Sequence, residues 1–158
     1  MRKPRILLPG AVYHVSARAN RQEMVLEPSS VKSLFEEILK KAKTKFEFRL
    51  HDFSIMGNHF HLVIQPSPGT SLSSIMQWVM SVFAQKWNRL HGIHGHVWGE
   101  RFFSKVLDSL SEVARTIAYV ALNPVRVGLA RVPEEWRFGG AYHRKHGWCT
   151  GPNALVDP

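Results

Sequence analysis

His59 and His61 stand two residues apart in Met56-Gly-Asn-His-Phe-His-Leu-Val-Ile64, a stretch otherwise as apolar as a buried strand. Side chains along a strand alternate between faces, so both imidazoles point one way and Phe60, Leu62 and Ile64 the other. Two ring nitrogens converging on one spot are half of a divalent-metal site. The plainer reading makes them polar residues on the wet face of a half-buried strand, and spacing alone does not choose. A second pair lies downstream. Tyr119 and Asn123 are i,i+4 neighbours, so a phenol and a carboxamide project together from one side of a helix. A phenol held off the core can act as a nucleophile, or can simply cap the edge of the core with its hydroxyl in water.

Elements that could position these residues are legible from periodicity. Ala11 to Arg18 alternates as a strand, with Tyr13, Val15 and Ala17 on one face and His14, Ser16 and Arg18 on the other. Pro28-Ser-Ser opens a helix, with Ser29 or Ser30 as N-cap and an apolar stripe of Val31, Leu34, Phe35, Ile38, Leu39 and Ala42. Phe46 to Ile55 reads as a second strand, joined through Gly57-Asn58 to the histidine strand as a hairpin. A second helix is expected from about Ser71 to Leu90, and a further strand over Arg101 to Leu107. A third helix from Ser111 to Asn123 should stop at Pro124 and bury Leu110, Val113, Ala114, Ile117 and Ala121. Tyr119 falls outside that stripe, with Glu112, Arg115, Thr116 and Asn123. The plan is α+β: a mostly antiparallel sheet, helices packed on one face, and an open face carrying His14, Arg18, His59 and His61.

Length and composition bound the partners. The chain of 158 residues, 44% hydrophobic and 21% charged, suits one globular domain, read here as residues 8–145 followed by a tail over 146–158. Gly151 to Pro158 is expected to be loose. Twenty-one Lys and Arg against 12 Asp and Glu leave a formal charge of +9, which favours a polyanion such as nucleic acid. Cys149 is the single cysteine, so no disulfide framework or cysteine metal cluster forms, and a reducing cytoplasm fits. No apolar run approaches the ~20 residues of a membrane span. The basic start, Arg2, Lys3 and Arg5, reads as an arm or as an ordinary basic tail, and the apolar run after it is too short for a signal peptide.

Six blocks in order resemble one family: Pro9-Gly-Ala-Val-Tyr-His-Val, Arg18-Ala-Asn-Arg21, Met56-Gly-Asn-His-Phe-His-Leu, Gly95-His-Val-Trp-Gly-Glu-Arg-Phe, Tyr119-Val-Ala-Leu-Asn-Pro-Val-Arg-Val-Gly-Leu129 and Pro133-Glu-Glu-Trp. They are similar to the single-tyrosine HUH transposases, and most of all to the REP-associated tyrosine transposases of bacteria. The resemblance runs from Pro9 to about Tyr142, and its His-Phe-His and Tyr-x-x-x-Asn-Pro blocks are specific as a pair.

The resemblance implies a ferredoxin-like, RRM-like HUH fold and a role for each residue. His59, His61 and Asn123 would hold Mg²⁺ or Mn²⁺; imidazole suits Mn²⁺ better, and with no cysteine or carboxylate a structural zinc is disfavoured. Tyr119 would attack a phosphodiester of single-stranded DNA, leaving a 5′-phosphotyrosine and a free 3′-hydroxyl. A phenol ionises only near pH ~10 in water, so an activating cation is implied, with Arg115 and Arg126 as candidates. Arg18, Arg21, Lys86, Arg89, Arg101, Lys105 and Arg126 are candidates for phosphate contacts, though each taken alone reads first as an ordinary solvated surface charge. The implied partner is hairpin-containing single-stranded DNA, handled by a monomer or a homodimer in a bacterial cytoplasm, on the nucleoid. The competing reading is a protein derived from a transposase that grips hairpin DNA or RNA without cutting; a basic structural protein is a third. His91, His94 and His96 lie in a glycine-rich loop without a partner carboxylate, and His94 departs from the family pattern.

Overall fold

Alternation along Val12–Arg18 produces strand β1, with Tyr13, Val15 and Ala17 buried in the main core. The computed structural model describes residues 4, 7–151 and 154–158, so the expected basic arm of Arg2, Lys3 and Arg5 lies outside the described residues. The further elements are α1 (Ser29–Lys45), β2 (Phe48–Ile55), β3 (His59–Pro66), α2 (Leu72–His91), β4 (Phe103–Leu107), α3 (Leu110–Arg126) and α4 (Gly140–Lys145). The sheet order is β2-β3-β1-β4, every neighbour pair antiparallel, which is the ferredoxin-like arrangement. β1 and β3 are therefore central, and the residues they carry are framed by strands on both sides. No helix is long and apolar enough to cross a membrane, among the described residues.

Periodicity located the elements, and local chemistry moved their ends. α1 begins at Ser29, but neither expected serine caps it: the Pro28 carbonyl accepts from the amides of Val31 and Lys32 instead. At α2 the Ser71 hydroxyl accepts from the Ser74 amide, and Gly92, at φ 62°, closes the helix in the left-handed region. The β2–β3 hairpin turns at Gly57 as expected. A Cβ on Gly57 would meet the outer ends of the exposed Met24 and Glu27 side chains, which can swing aside, and the Gly57 carbonyl accepts from the Leu26 amide. Close approach of this loop to the hairpin holds the start of the histidine strand.

The two sheet faces are unlike. Phe53, Phe60, Leu62 and Ile64 join Phe35, Ile38, Ile75, Val79 and Phe83 of α1 and α2 in the main core. The other face is divided. At one end it carries Val12, Val63 and Leu107, at the other His14, Ser16, Arg18, His59 and His61. α3 packs on the apolar end through Val113, Ile117 and Val120. The face expected to be open is thus open only over its polar half, because its apolar half needs cover.

This changes the reading of α3 in two ways. Leu110 is 90% exposed, and the packed side centres on the buried Val120 and Pro124, with Val113 and Ile117 of the expected stripe half-buried against the same cluster. Pro124 does not stop the helix, which continues to Arg126. A proline in the last turn forfeits one i→i−4 bond, and its buried ring packs in exchange. Gly128, at φ 77°, ends the helix instead, where the Leu129 amide donates to the Pro124 carbonyl. Residues 154–158 are also not loose. Leu155 and Val156 are fully buried, and the Asp157 carboxylate accepts from Lys43 at 2.6 Å and from the Leu50 amide at 2.7 Å.

Candidate active site

Antiparallel register builds the site. Ser16 pairs with His61 and Arg18 with His59 across β1 and β3, so His14, two residues from Ser16, is the diagonal neighbour of His61. The His59 and His61 rings meet edge to face with centroids 5.1 Å apart. His14 Nε2 lies 3.0 Å from His61 Nδ1, and the two rings stack at 5.2 Å. On the other side, His59 Nδ1 is 2.7 Å from Asn58 Oδ1.

α3 supplies the phenol. Seating Val120 on the apolar end of the face turns the preceding residue, Tyr119, toward the histidines. Its ring stands perpendicular to that of His61, 5.8 Å between centroids, and 6.0 Å from His14. The Arg126 guanidinium lies over the same ring at 4.6 Å. Asn123, one turn after Tyr119, interacts with His59, and its Nδ2 is buried with no hydrogen-bond partner. All four residues expected to act together, His59, His61, Tyr119 and Asn123, therefore meet on one face within a single chain.

Electrostatics keep the imidazoles neutral. Burial, reinforced by the charge of Arg18, holds His59 down at about 4, against an opposing contact from Asn123. Burial first, then His59, His14 and Arg18, hold His61 down at about 3. His14 is lowered as well, by burial and then by Lys105. Near neutral pH all three rings carry lone pairs rather than charges. That is the form in which imidazole binds a metal.

The expected cations divide. Arg18, Arg21 and Arg101 line one open cleft of about 570 Å³ together with His59 and His61. Arg21 and Gln22, at φ 54° and 56°, are consecutive non-glycine residues in the left-handed region, a costly conformation of the kind that clusters at functional sites. Tyr119 lines a neighbouring cleft of about 420 Å³ with His14, Lys105 and Arg115, where Lys105 is paired with Glu112 at 2.8 Å. The stacked His14 and His61 rings lie between the two clefts. Lys86 and Arg89 are not brought to either. They sit on α2, which packs on the opposite face of the sheet.

Among the described residues, no three His, Cys, Asp or Glu side chains converge into a metal cage, and the loop histidines His91, His94 and His96 form none. A divalent ion would have to be held by His59, His61 and Asn123. The donor set fits in its chemistry: two uncharged imidazoles, and a carboxamide at His59 whose oxygen, not its unpartnered Nδ2, would be the ligand. His14 is the residue that sequence reasoning undervalued. Its place on the histidine face was legible from alternation, but its contact with His61 depends on cross-strand register.

Comparison with known proteins agrees with this fold. A family model described as IS200-like transposase matches residues 9–123. Among solved structures, a REP-associated tyrosine transposase bound to a REP hairpin superposes with a TM-score of 0.78 at 15% identity, over 97% of this chain and 90% of that one. A putative transposase from Deinococcus radiodurans R1 gives 0.54 at 17% identity, over 76% and 95%. No curated protein matches. At these identities the structural likeness speaks for the fold, and the family model speaks for descent: this chain belongs to the IS200-like transposase family.

Proposed function

We propose that this protein is a DNA strand transferase of the HUH type, a nickase that cuts single-stranded, hairpin-containing DNA through Tyr119. The observation that carries the reading is the Tyr119 ring, 5.8 Å from His61 on the histidine face of its own chain. The Tyr119 oxygen forms a bond to phosphorus while the bond from phosphorus to the 3′-oxygen breaks. The phenolic proton is lost to solvent, and the departing 3′-oxygen takes one up. The 5′-phosphotyrosine conserves the bond energy, so a 3′-hydroxyl can reverse the step and join strands without ATP. Mg²⁺ or Mn²⁺ held by His59, His61 and Asn123 would supply positive charge to the phosphate oxygens. Arg126, stacked over the Tyr119 ring, adds a cation from the chain itself.

Arg18, Arg21 and Arg101 in the histidine cleft give the strand its phosphate contacts, with Lys105 and Arg115 beside Tyr119. Lys86 and Arg89, on the far face, do not touch DNA near the scissile bond. A hairpin substrate is in keeping with the REP hairpin bound by the structurally similar transposase. Because phenol and imidazoles belong to one chain, a monomer suffices for cleavage. The setting would be the bacterial cytoplasm, on the nucleoid.

The test is incubation with labelled hairpin-bearing single strands and Mn²⁺, followed by denaturing electrophoresis. The native protein should yield a denaturation-resistant adduct on the 5′-phosphate. Tyr119→Phe should bind the strand and form none, and His59→Ala should bind without cutting. An adduct with Tyr119→Phe would assign the chemistry to another nucleophile. Binding without any adduct from the native protein would favour a non-cleaving hairpin binder.

A further inference from the structure

The two imidazoles of the site are each held at Nδ1 by another side chain, and the holders differ. Asn58 Oδ1, 2.7 Å from His59 Nδ1, can only accept, so the His59 proton sits on Nδ1 and Nε2 keeps its lone pair. His61 Nδ1 faces His14 Nε2 at 3.0 Å, and an imidazole pair shares one proton in either of two directions. If His14 donates, His61 must carry its own proton on Nε2, and that nitrogen cannot ligate. If His61 donates, its Nε2 is free, and His14 must be the tautomer protonated at Nδ1.

We infer that His14 is a positioning residue: by accepting the Nδ1 proton of His61 it fixes the tautomer and ring direction that leave His61 Nε2 available. The hold is built into the sheet. His14 and His61 are on the two central strands, and the register that pairs Ser16 with His61 sets their separation. The His14 ring is braced on its outer sides by Phe103 at 6.2 Å and Tyr119 at 6.0 Å, both edge to face. An acceptor behind a metal-binding imidazole fixes the ring and raises its basicity, and losing one costs about 10- to 100-fold in affinity. His14 would do for His61 what Asn58 does for His59. It also touches the ring of Tyr119, so the same side chain registers imidazole and phenol against each other.

The metal consequence rests on the proposed function, whereas the tautomer does not, and the experiment separates them. Two variants of the full chain suffice. His14→Gln places an amide oxygen near the position of the lost Nε2, and His14→Phe keeps a flat ring without an acceptor. In the ¹⁵N-labelled, metal-free protein at pH 7.5, long-range proton–nitrogen spectra should show His61 protonated at Nδ1 in the native chain and in His14→Gln. In His14→Phe the proton should shift toward Nε2. Calorimetric titration with Mn²⁺ should show affinity reduced about 10- to 100-fold in His14→Phe and largely restored in His14→Gln. Native His61 protonated at Nε2, or an unchanged tautomer in His14→Phe, overturns the inference. Equal loss of Mn²⁺ affinity in both variants overturns it too, by reducing His14 to packing. Should the native chain bind no Mn²⁺ at all, the proposed metal role fails, and the tautomer alone decides on His14.

Discussion

Shortening Val120 should loosen the helix that carries Tyr119 without unfolding the sheet. Val120 is fully buried, and it belongs to a small cluster with Val63 and Leu107, flanked by Val12, Val113 and Ile117, separate from the main core. Val120→Ala removes two methyl groups, about 1.5 kcal/mol of transfer free energy, and the cavity raises the cost to about 2 kcal/mol. A factor of ten corresponds to about 1.4 kcal/mol, so opening of α3 should become about 30-fold more frequent. Because α3 docks through its own cluster, the opening should be local. Hydrogen exchange reads it directly: amides of α3 should exchange about 30-fold faster, while those of β2 and β3 change far less. Adduct formation should slow, with binding of the oligonucleotide preserved. Leu110→Ala is the control, since Leu110 is 90% exposed and its loss should leave exchange within about twofold. Unchanged α3 exchange in Val120→Ala, or an equal response in Leu110→Ala, would refute this account of how Tyr119 is held.

Three further outcomes follow from the same geometry. Alanine at Arg18, Arg21 or Arg101 should each reduce the salt dependence of single-strand binding by about 0.7 in log–log slope, measured by titration at several salt concentrations. Lys86→Ala and Arg89→Ala should leave that slope unchanged, and an equal effect would mean the strand also crosses the α2 side. His59 and His61, held at about 4 and about 3 against 6.5 unfolded, take up protons on unfolding. Their contribution to stability is complete above about pH 6.5 and is lost as pH falls toward 4 and 3. The buried Asp52, raised to about 6, opposes this between 3.8 and 6. His59→Gln should therefore flatten the acid limb of urea-denaturation midpoints, and an identical limb would contradict the burial assigned to His59. Removal of Leu155 to Pro158 should cost about 3–6 kcal/mol in urea unfolding, from two fully buried side chains at about 1.5–3 kcal/mol each; a loss below about 1 kcal/mol would mean they do not pack as described.

The sequence alone determined the parts list. Period-two alternation along β1 and β3 put His14, His59 and His61 on one face, because side-chain direction in a strand is a local property. The i,i+4 spacing likewise joined Tyr119 to Asn123 on a helix. What periodicity could not supply was where that helix docks. Hydrophobic pattern ranks the sides of α3 but does not say which surface receives them. It favoured a stripe beginning at Leu110, which in the fold is left in solvent. The partner surface of Val12, Val63 and Leu107 exists only once three strands are in register. The bond between His14 and His61 arises the same way, from residues 47 positions apart that no local rule connects. Which cations share a cleft with the histidines is likewise set by the side of the sheet each element covers. Chemistry is written residue by residue along the chain, whereas the distances over which it acts come from strand pairing and from the cover that an apolar half-face requires.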